Sequence, residues 1–278
     1  MADNWSIKYV ISDFLGGGVT LSPTPRKEIW ASDLGKPYFD TYNKMIGTPY
    51  TNPTDGHGMI TFLLGKAMED GIYKMLTSVG LAFESQERLV IETEGNLNVV
   101  GRPDLILCIK DWDEVIKNIE KLDPKEYRLE GLKRIVERYK EQYPEGLKET
   151  PFEIKSINSN ALRYNKVKGM ANAYPFHHLQ LFTYMKAKGY KEGHLLYLAK
   201  DTGYMEEVIV KWTPELEAKW LKEVSNISKY YQSNTMPEFE PSTIDGKKNW
   251  LVDYSNYKDL IKSLETQKEA EIPEIIQI

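Results

Sequence analysis

The chain has 278 residues, 41% hydrophobic and 28% charged, enough apolar material for one large core or a domain with an insertion. This composition excludes a disordered, collagenous or disulfide-stapled chain, and a net charge of -5 excludes a uniformly basic nucleic-acid coat while leaving room for a local positive groove. One cysteine, Cys108 within Leu105-Ile106-Leu107-Cys108-Ile109, excludes an internal disulfide and a four-thiolate zinc or iron–sulfur site, and suits a small buried hydrophobe in a reducing cytoplasm. No apolar run is long enough to span a bilayer, and the first residues show neither a basic leader nor a cleavage pattern. The expectation is a soluble, unprocessed, cytoplasmic protein without a membrane partner.

The first 30 residues are broken by Gly16-Gly17-Gly18 and Pro23-Thr24-Pro25 and predict an irregular arm. A triple glycine can cradle a phosphate, but no Lys-Ser/Thr follows it, which favours a turn. From Met59 to Leu76, apolar residues on most faces predict a helix packed deep in the domain, carrying the acidic pair Glu69 and Asp70. Arg88–Thr93 and Leu97–Lys110 read as two strands around Glu94-Gly95-Asn96, the second interrupted by Gly101-Arg102-Pro103-Asp104. Asp111–Thr150, with eleven acidic and nine basic residues, reads as an inserted helical arm. It is expected to cover or border the path of the substrate.

Pro151–Ile157 returns to strand, and Tyr174–Lys188 is a helix whose start Pro175 marks. His194–Lys200 and Met205–Trp212 are strands. Thr213-Pro214-Glu215 supplies an N-cap, a first-turn proline and a first-turn acid for a helix to about Ser233. A proline-punctuated aromatic tail follows from Pro237, closing with a short charged helix and an apolar-acidic stub.

The chemistry concentrates at Asp104 and Glu153-Ile154-Lys155. Strand residues two apart share a face, so Glu153 and Lys155 project together while Ile154 turns to the core. With Asp104 on a neighbouring strand, two carboxylates converge where a hard cation such as Mg2+ fits, and the Lys155 ammonium can stabilise an attacking hydroxide or a charged phosphorane-like transition state. A bare Glu-x-Lys is otherwise a surface ion pair. Glu69, on an otherwise apolar helix, is costly to bury unless paired or bound to metal. Gly65, one turn earlier, permits close helix packing or close approach of a ligand.

Gly65-Lys66-Ala67-Met68-Glu69, Gly101-Arg102-Pro103-Asp104, Glu153-Ile154-Lys155 and Gln180-Leu181-Phe182-Thr183-Tyr184 occur in that order. The series resembles the PD-(D/E)XK nuclease superfamily, specifically its RecB-like exonuclease branch, which includes the CRISPR-associated four-cysteine nucleases. Trp30-Ala31-Ser32-Asp33-Leu34-Gly35 is similar to that branch's entry segment. The resemblance implies an α/β (α+β) fold with a mixed central sheet flanked by helices: an arm at 1–25, a nuclease domain at 26–236 with the 111–150 insertion, and a tail at 237–278. It implies Mg2+ or Mn2+ held by Glu69, Asp104, Glu153 and the Ile154 carbonyl, with Lys155 acting on the phosphate. Gln180 would orient Lys155 or the phosphate, and Tyr184 would support the site or contact DNA.

The implied activity is exonucleolytic cleavage of single-stranded DNA ends in replication, recombination or repair, alongside a replication or recombination protein. A structure-selective endonuclease and a binding module with a vestigial pocket are the alternatives. No iron–sulfur cluster is expected, because one Cys108 cannot replace the branch's four cysteines. Trp250, Tyr254 and Tyr257 are expected to secure the tail by packing instead.

Seven Lys/Arg and no Asp/Glu lie between Ile154 and Lys191, interleaved with aromatics. Such a stretch suits phosphate neutralisation with base stacking, or a solvated basic face over core aromatics. Arg163, Lys166 and Lys168, expected in a polar loop after the Glu153 strand, are the favoured phosphate contacts, with His177 beside them. Neighbouring His177 and His178 diverge by about 100° on a helix and do not suggest zinc.

Overall fold

Beta-branched and aliphatic residues alternating along short segments build the sheets, and those segments alternate with helices. The computed structural model describes residues 7–17, 21–84, 87–125 and 127–271. Gly18 of the glycine run and the closing stub at 272–278 lie outside them. The N-terminal stretch is not wholly irregular, since α1 (Ile7–Gly17) is helical as far as Gly17. After β1 (Ile29–Trp30), a 3-10 turn (Ala31–Asp33) and α2 (Tyr38–Ile46), α3 (Gly56–Ser78) starts with Asp55 accepting from the Gly58 amide at 2.7 Å.

The strands form a mixed α/β architecture. β2 (Ala82–Glu84), β5 (Leu105–Ile109), β6 (Leu147–Ile157), β7 (Glu192–Ala199) and β8 (Met205–Lys211) make one sheet in the order β2-β5-β6-β7-β8. Only β6 and β7 run parallel; the other neighbours are antiparallel. A smaller sheet has the order β1-β4-β3, with β3 (Leu89–Ile91) and β4 (Val99–Gly101). The break at Gly101-Arg102-Pro103-Asp104 has a structural cause: there the chain leaves the small sheet and enters the large one. β6 starts four residues before its expected position. Pro151, which has no N–H to donate, is tolerated because β6 pairs only with β5 up to that point and gains β7 from Phe152 onward.

The two faces of the large sheet carry separate cores. Phe152, Ile154 and Leu198 pack with Leu105 against the Met68, Ile72, Tyr73 and Leu76 stripe of α3. Leu195, Tyr197 and Ala199 face α8 (Pro175–Lys188), whose Leu179, Leu181, Phe182 and Met185 are buried. α9 (Pro214–Gln232) closes that side with buried Trp220, its start capped by Thr213 accepting from the Leu216 amide at 3.2 Å. α3 is not deep, contrary to its all-round apolarity. Phe62, Leu63 and Leu64 are more than half exposed, because the stripe that meets the sheet lies on another part of the helix surface.

The 111–150 segment folds as α4 (Trp112–Glu120) and α5 (Leu129–Gln142), then enters β6. Its core of Trp112, Val115, Ile119 and Val136 rests on Val79 and Ile109. Ile109 pairs with Leu147, so the arm is anchored at the end of the β5–β6 pair remote from Asp104. The segment after β6 is a helix, α6 (Ser159–Lys168), and not a loop; α7 (Met170–Ala173) links it to α8.

The tail holds a hairpin of β9 (Thr243–Ile244) and β10 (Lys247–Lys248), then α10 (Trp250–Asp253) and α11 (Lys258–Glu271). One of the three expected aromatics anchors it. Tyr257 is fully buried, edge-on to Phe39 and Tyr50, and donates to the Thr48 carbonyl at 3.2 Å. Trp250 is 53% and Tyr254 85% exposed, since α10 ends at Asp253 and the chain turns before Tyr257. Tyr257→Ala is therefore expected to lower stability by roughly 3–5 kcal/mol and Trp250→Ala by under about 0.5 kcal/mol in chemical denaturation. Equal losses would contradict this anchoring.

Candidate active site

β6 carries the centre of the site. The register pairing Leu105 with Phe152 and Ile106 with Pro151, continued one residue, sets Asp104 opposite Glu153. Ile154 is 1% exposed on the α3 face, so its neighbours Glu153 and Lys155 face α8. Glu153 is 2% exposed, which removes the surface ion-pair reading. Its Oε1 accepts from Lys155 Nζ at 2.6 Å and from Gln180 Nε2 at 2.8 Å. Gln180 also donates to the Tyr184 hydroxyl at 3.0 Å, one turn along α8. Gln180 thus holds Glu153, where the resemblance implied Lys155 or a phosphate as its partner. Tyr184, 3% exposed, supports that amide from the interior.

Two glycines let these elements close. A Cβ on Gly65 would stand 2.5 Å from Ser156 Oγ, so α3 lies directly against β6 at the turn before Glu69. A Cβ on Gly101 would meet Tyr184 Cε1 at 2.7 Å and the Ala31 methyl at 3.0 Å.

The electrostatics are those of crowded acids. Burial, outweighing the pull of Lys155, pushes the Glu153 carboxyl from its ordinary 4.5 up to about 8, and Asp104 adds to the rise. Glu69 is half-buried and also raised, first by burial and then by Asp104. Glu153 Oε2 and the Tyr73 hydroxyl are buried with no hydrogen-bond partner among the described residues. Tyr73, four residues after Glu69, is raised by burial and by the nearby Asp104 and Glu153 charges. Among the described residues no three His, Cys, Asp or Glu side chains are gathered tightly enough to form a ready metal cage. Glu69 stands within electrostatic reach of Asp104, which raises it, and of Lys155, which opposes the rise.

The strain on Glu153 has a measurable consequence without any ion. A carboxyl raised on folding binds a proton that the unfolded chain releases above about 4.5. Its favourable contribution is complete below that value and is lost as pH rises through about 8. Glu153→Gln is therefore expected to flatten the fall of Tm between pH 5 and 8, and to raise Tm at pH 8 by at least ~2 °C in chelator. An unchanged slope would contradict the raised carboxyl.

The expected basic track is largely spoken for. Lys166 pairs with Glu206 at 2.7 Å, Lys186 with Glu217 at 2.5 Å, Lys188 with Glu87, and Lys155 with Glu153. Arg163 is exposed on α6, and Lys168 lies 4.3 Å from the Tyr164 ring centre. Neither has an ion-pair partner among the described residues, whereas Lys166 shares its charge with an acid. His177 sits among Tyr174, Phe176 and Tyr197, its Nδ1 3.1 Å from the Tyr197 hydroxyl. Burial pushes its pKa far down, so it offers a phosphate no positive charge.

Two nearby residues carry no sequence signal beyond type. Tyr73 repeats the Glu69 position one turn on. Lys36 has no ion-pair partner among the described residues and is pushed down to about 8, by burial first, then by Lys44, with Lys155 a smaller cause and Asp33 and Asp40 opposing.

Among the described residues, no helix is long and apolar enough to cross a membrane. No family model and no curated protein matches the chain. Among solved structures, the crystal structure of SSO0001 is similar over 92% of this chain and 96% of that one, with TM-score 0.50 and 15% identity. At that identity the likeness is one of fold, and it extends over the mixed α/β architecture as a whole.

Proposed function

We propose that this protein is a metal-dependent deoxyribonuclease built on a PD-(D/E)XK core, acting as an exonuclease on single-stranded ends. One observation carries the reading. Glu153 is buried with Oε1 doubly held by Lys155 and Gln180, while Oε2 is buried with no hydrogen-bond partner among the described residues, and the nearby Asp104 helps to raise the carboxyl. An all-oxygen donor set with one orphaned carboxylate oxygen fits a hard divalent cation. Glu69, Asp104, Glu153 and the Ile154 carbonyl would hold Mg2+ or Mn2+. When bound, such an ion supplies charge stabilisation for the nucleophile and the leaving oxygen.

The protein's own side chains account for the rest. A water oxygen would bond to phosphorus as the ester P–O bond breaks, the water giving up a proton to solvent and the leaving oxygen taking one up. Lys155 presents an ammonium to the charge that grows on the phosphate during this exchange. Gln180 fixes Glu153 Oε1, and buried Tyr184 fixes Gln180, so the carboxylate does not need to reorganise as charge develops.

Linear and circular single-stranded DNA, each with Mg2+, Mn2+ or chelator, test the proposal. Metal-dependent loss of the linear form alone is expected. Cleavage of both forms points to an endonuclease, and binding without cleavage under every condition overturns the catalytic reading.

A further inference from the structure

A cleft of about 470 Å3 opens beside the carboxylates, lined by Trp30, Ser32, Arg88, Arg102, Gln180 and Tyr184 among others. It shares Gln180 with the site, so whatever fills it lies next to the group that holds Glu153. Trp30 is 53% exposed, unusual for the largest apolar side chain, yet it is held in place. The Arg26 guanidinium lies 4.3 Å from its ring centre, and Arg26 is itself fixed by Asp33 at 2.6 and 3.1 Å and by the Glu28 carbonyl at 3.1 Å. Asp33 also accepts from the Trp30 amide at 2.8 Å. The indole plate is thus backed by a tethered cation and lines the cleft.

The charges around the plate differ in availability. Arg88 is paired with Glu28. Arg102, exposed and two residues before Asp104, has no ion-pair partner among the described residues. A fixed aromatic plate with an uncommitted guanidinium beside it matches a base and its phosphate, and stacking of this kind tolerates any base.

We infer that this cleft is a nucleotide subsite in which Trp30 stacks one nucleobase of a single strand and Arg102 contacts that nucleotide's phosphate, placing the neighbouring phosphate at Glu153. The inference deepens the nuclease reading and rests on it for the nature of the strand. Its test uses binding and requires no cleavage.

Fluorescein-labelled dT12, intact or with a single abasic nucleotide walked along it, is titrated with the full-length protein in chelator and followed by anisotropy. Trp30→Ala is expected to weaken intact dT12 about tenfold and Trp30→Phe no more than about twofold. An abasic nucleotide at one position should weaken the wild type by the same factor and add nothing in Trp30→Ala. Arg102→Gln should weaken every probe and reduce the salt dependence. Photocrosslinking of an iododeoxyuridine-substituted strand to the wild-type protein, with the adduct mapped, checks the contact even where a variant folds poorly. An adduct on Trp30 supports the inference. Adducts only elsewhere, no oligonucleotide binding, or abasic losses that persist unchanged in a folded Trp30→Ala would overturn it. Trp30-dependent binding without metal-dependent cleavage would sink the nuclease reading and leave the subsite standing; cleavage without Trp30 dependence would do the reverse.

Discussion

Asp104→Ala and Glu153→Ala are each expected to reduce metal-dependent DNA cleavage by at least ~10³-fold, with far-ultraviolet dichroism unchanged and affinity for single-stranded DNA within about threefold of wild type. On the proposed mechanism, the loss follows from removing one of the few negative groups that would hold a cation at the scissile phosphate. Binding is expected to be spared because the proposed phosphate contacts would be spread over several cations, of which Arg163 and Lys168 stay uncommitted to acids among the described residues. The fold is spared because neither carboxylate fills the apolar core, and Lys155, 23% exposed in its side chain, can reach water once Glu153 is gone. Turnover near the wild-type rate in either purified variant would remove both residues from the site.

Lys155→Ala is expected to lower turnover by about 10²–10³-fold even at saturating Mg2+, measured at pH 8.5. An ammonium is no metal ligand, so the role proposed for Lys155 is to meet charge on the phosphate. The structure adds a second effect. Lys155 is the group that opposes the rise of the Glu153 carboxyl, so its removal drives that carboxyl higher still and moves half-saturation by Mg2+ to higher concentration. The two effects separate in one titration, since saturation and high pH cancel the second and leave the first. Normal cleavage at saturation would show that Lys155 merely holds Glu153.

Much of the site was legible because strand geometry is local. Alternation along Glu153-Ile154-Lys155 follows from the two-residue period of a strand, and the one-turn spacing of Gln180 and Tyr184 from the pitch of a helix. Pro175 and Thr213 mark helix starts for equally local reasons, a missing N–H and a side-chain acceptor, and both boundaries hold. Depth was not legible in the same way. The apolar run of α3 gives no clue that Phe62, Leu63 and Leu64 lie away from the sheet, because a sequence records hydrophobicity but not which neighbours arrive to cover it. The tail shows the same limit: three aromatics at helical spacing look equivalent, and one, Tyr257, finds the Phe39 and Tyr50 pocket.

By itself, then, the sequence determined the alternation of strands and helices, the order of the acidic and basic groups, and the face on which Glu153 and Lys155 stand. All of these depend on residues within a turn or two of one another. Only the tertiary structure decided that Asp104 lies opposite Glu153, that Gln180 holds the carboxylate and not the lysine, and that Arg26 backs Trp30. It also decided that the basic run from Ile154 to Lys191 meets Glu206, Glu217 and Glu87, acids from separate parts of the chain that cancel charges a linear reading counts as free. Pairing, burial and pKa all depend on distances between segments brought together by the hydrophobic cores, and such distances have no counterpart in the spacing of residues along the chain.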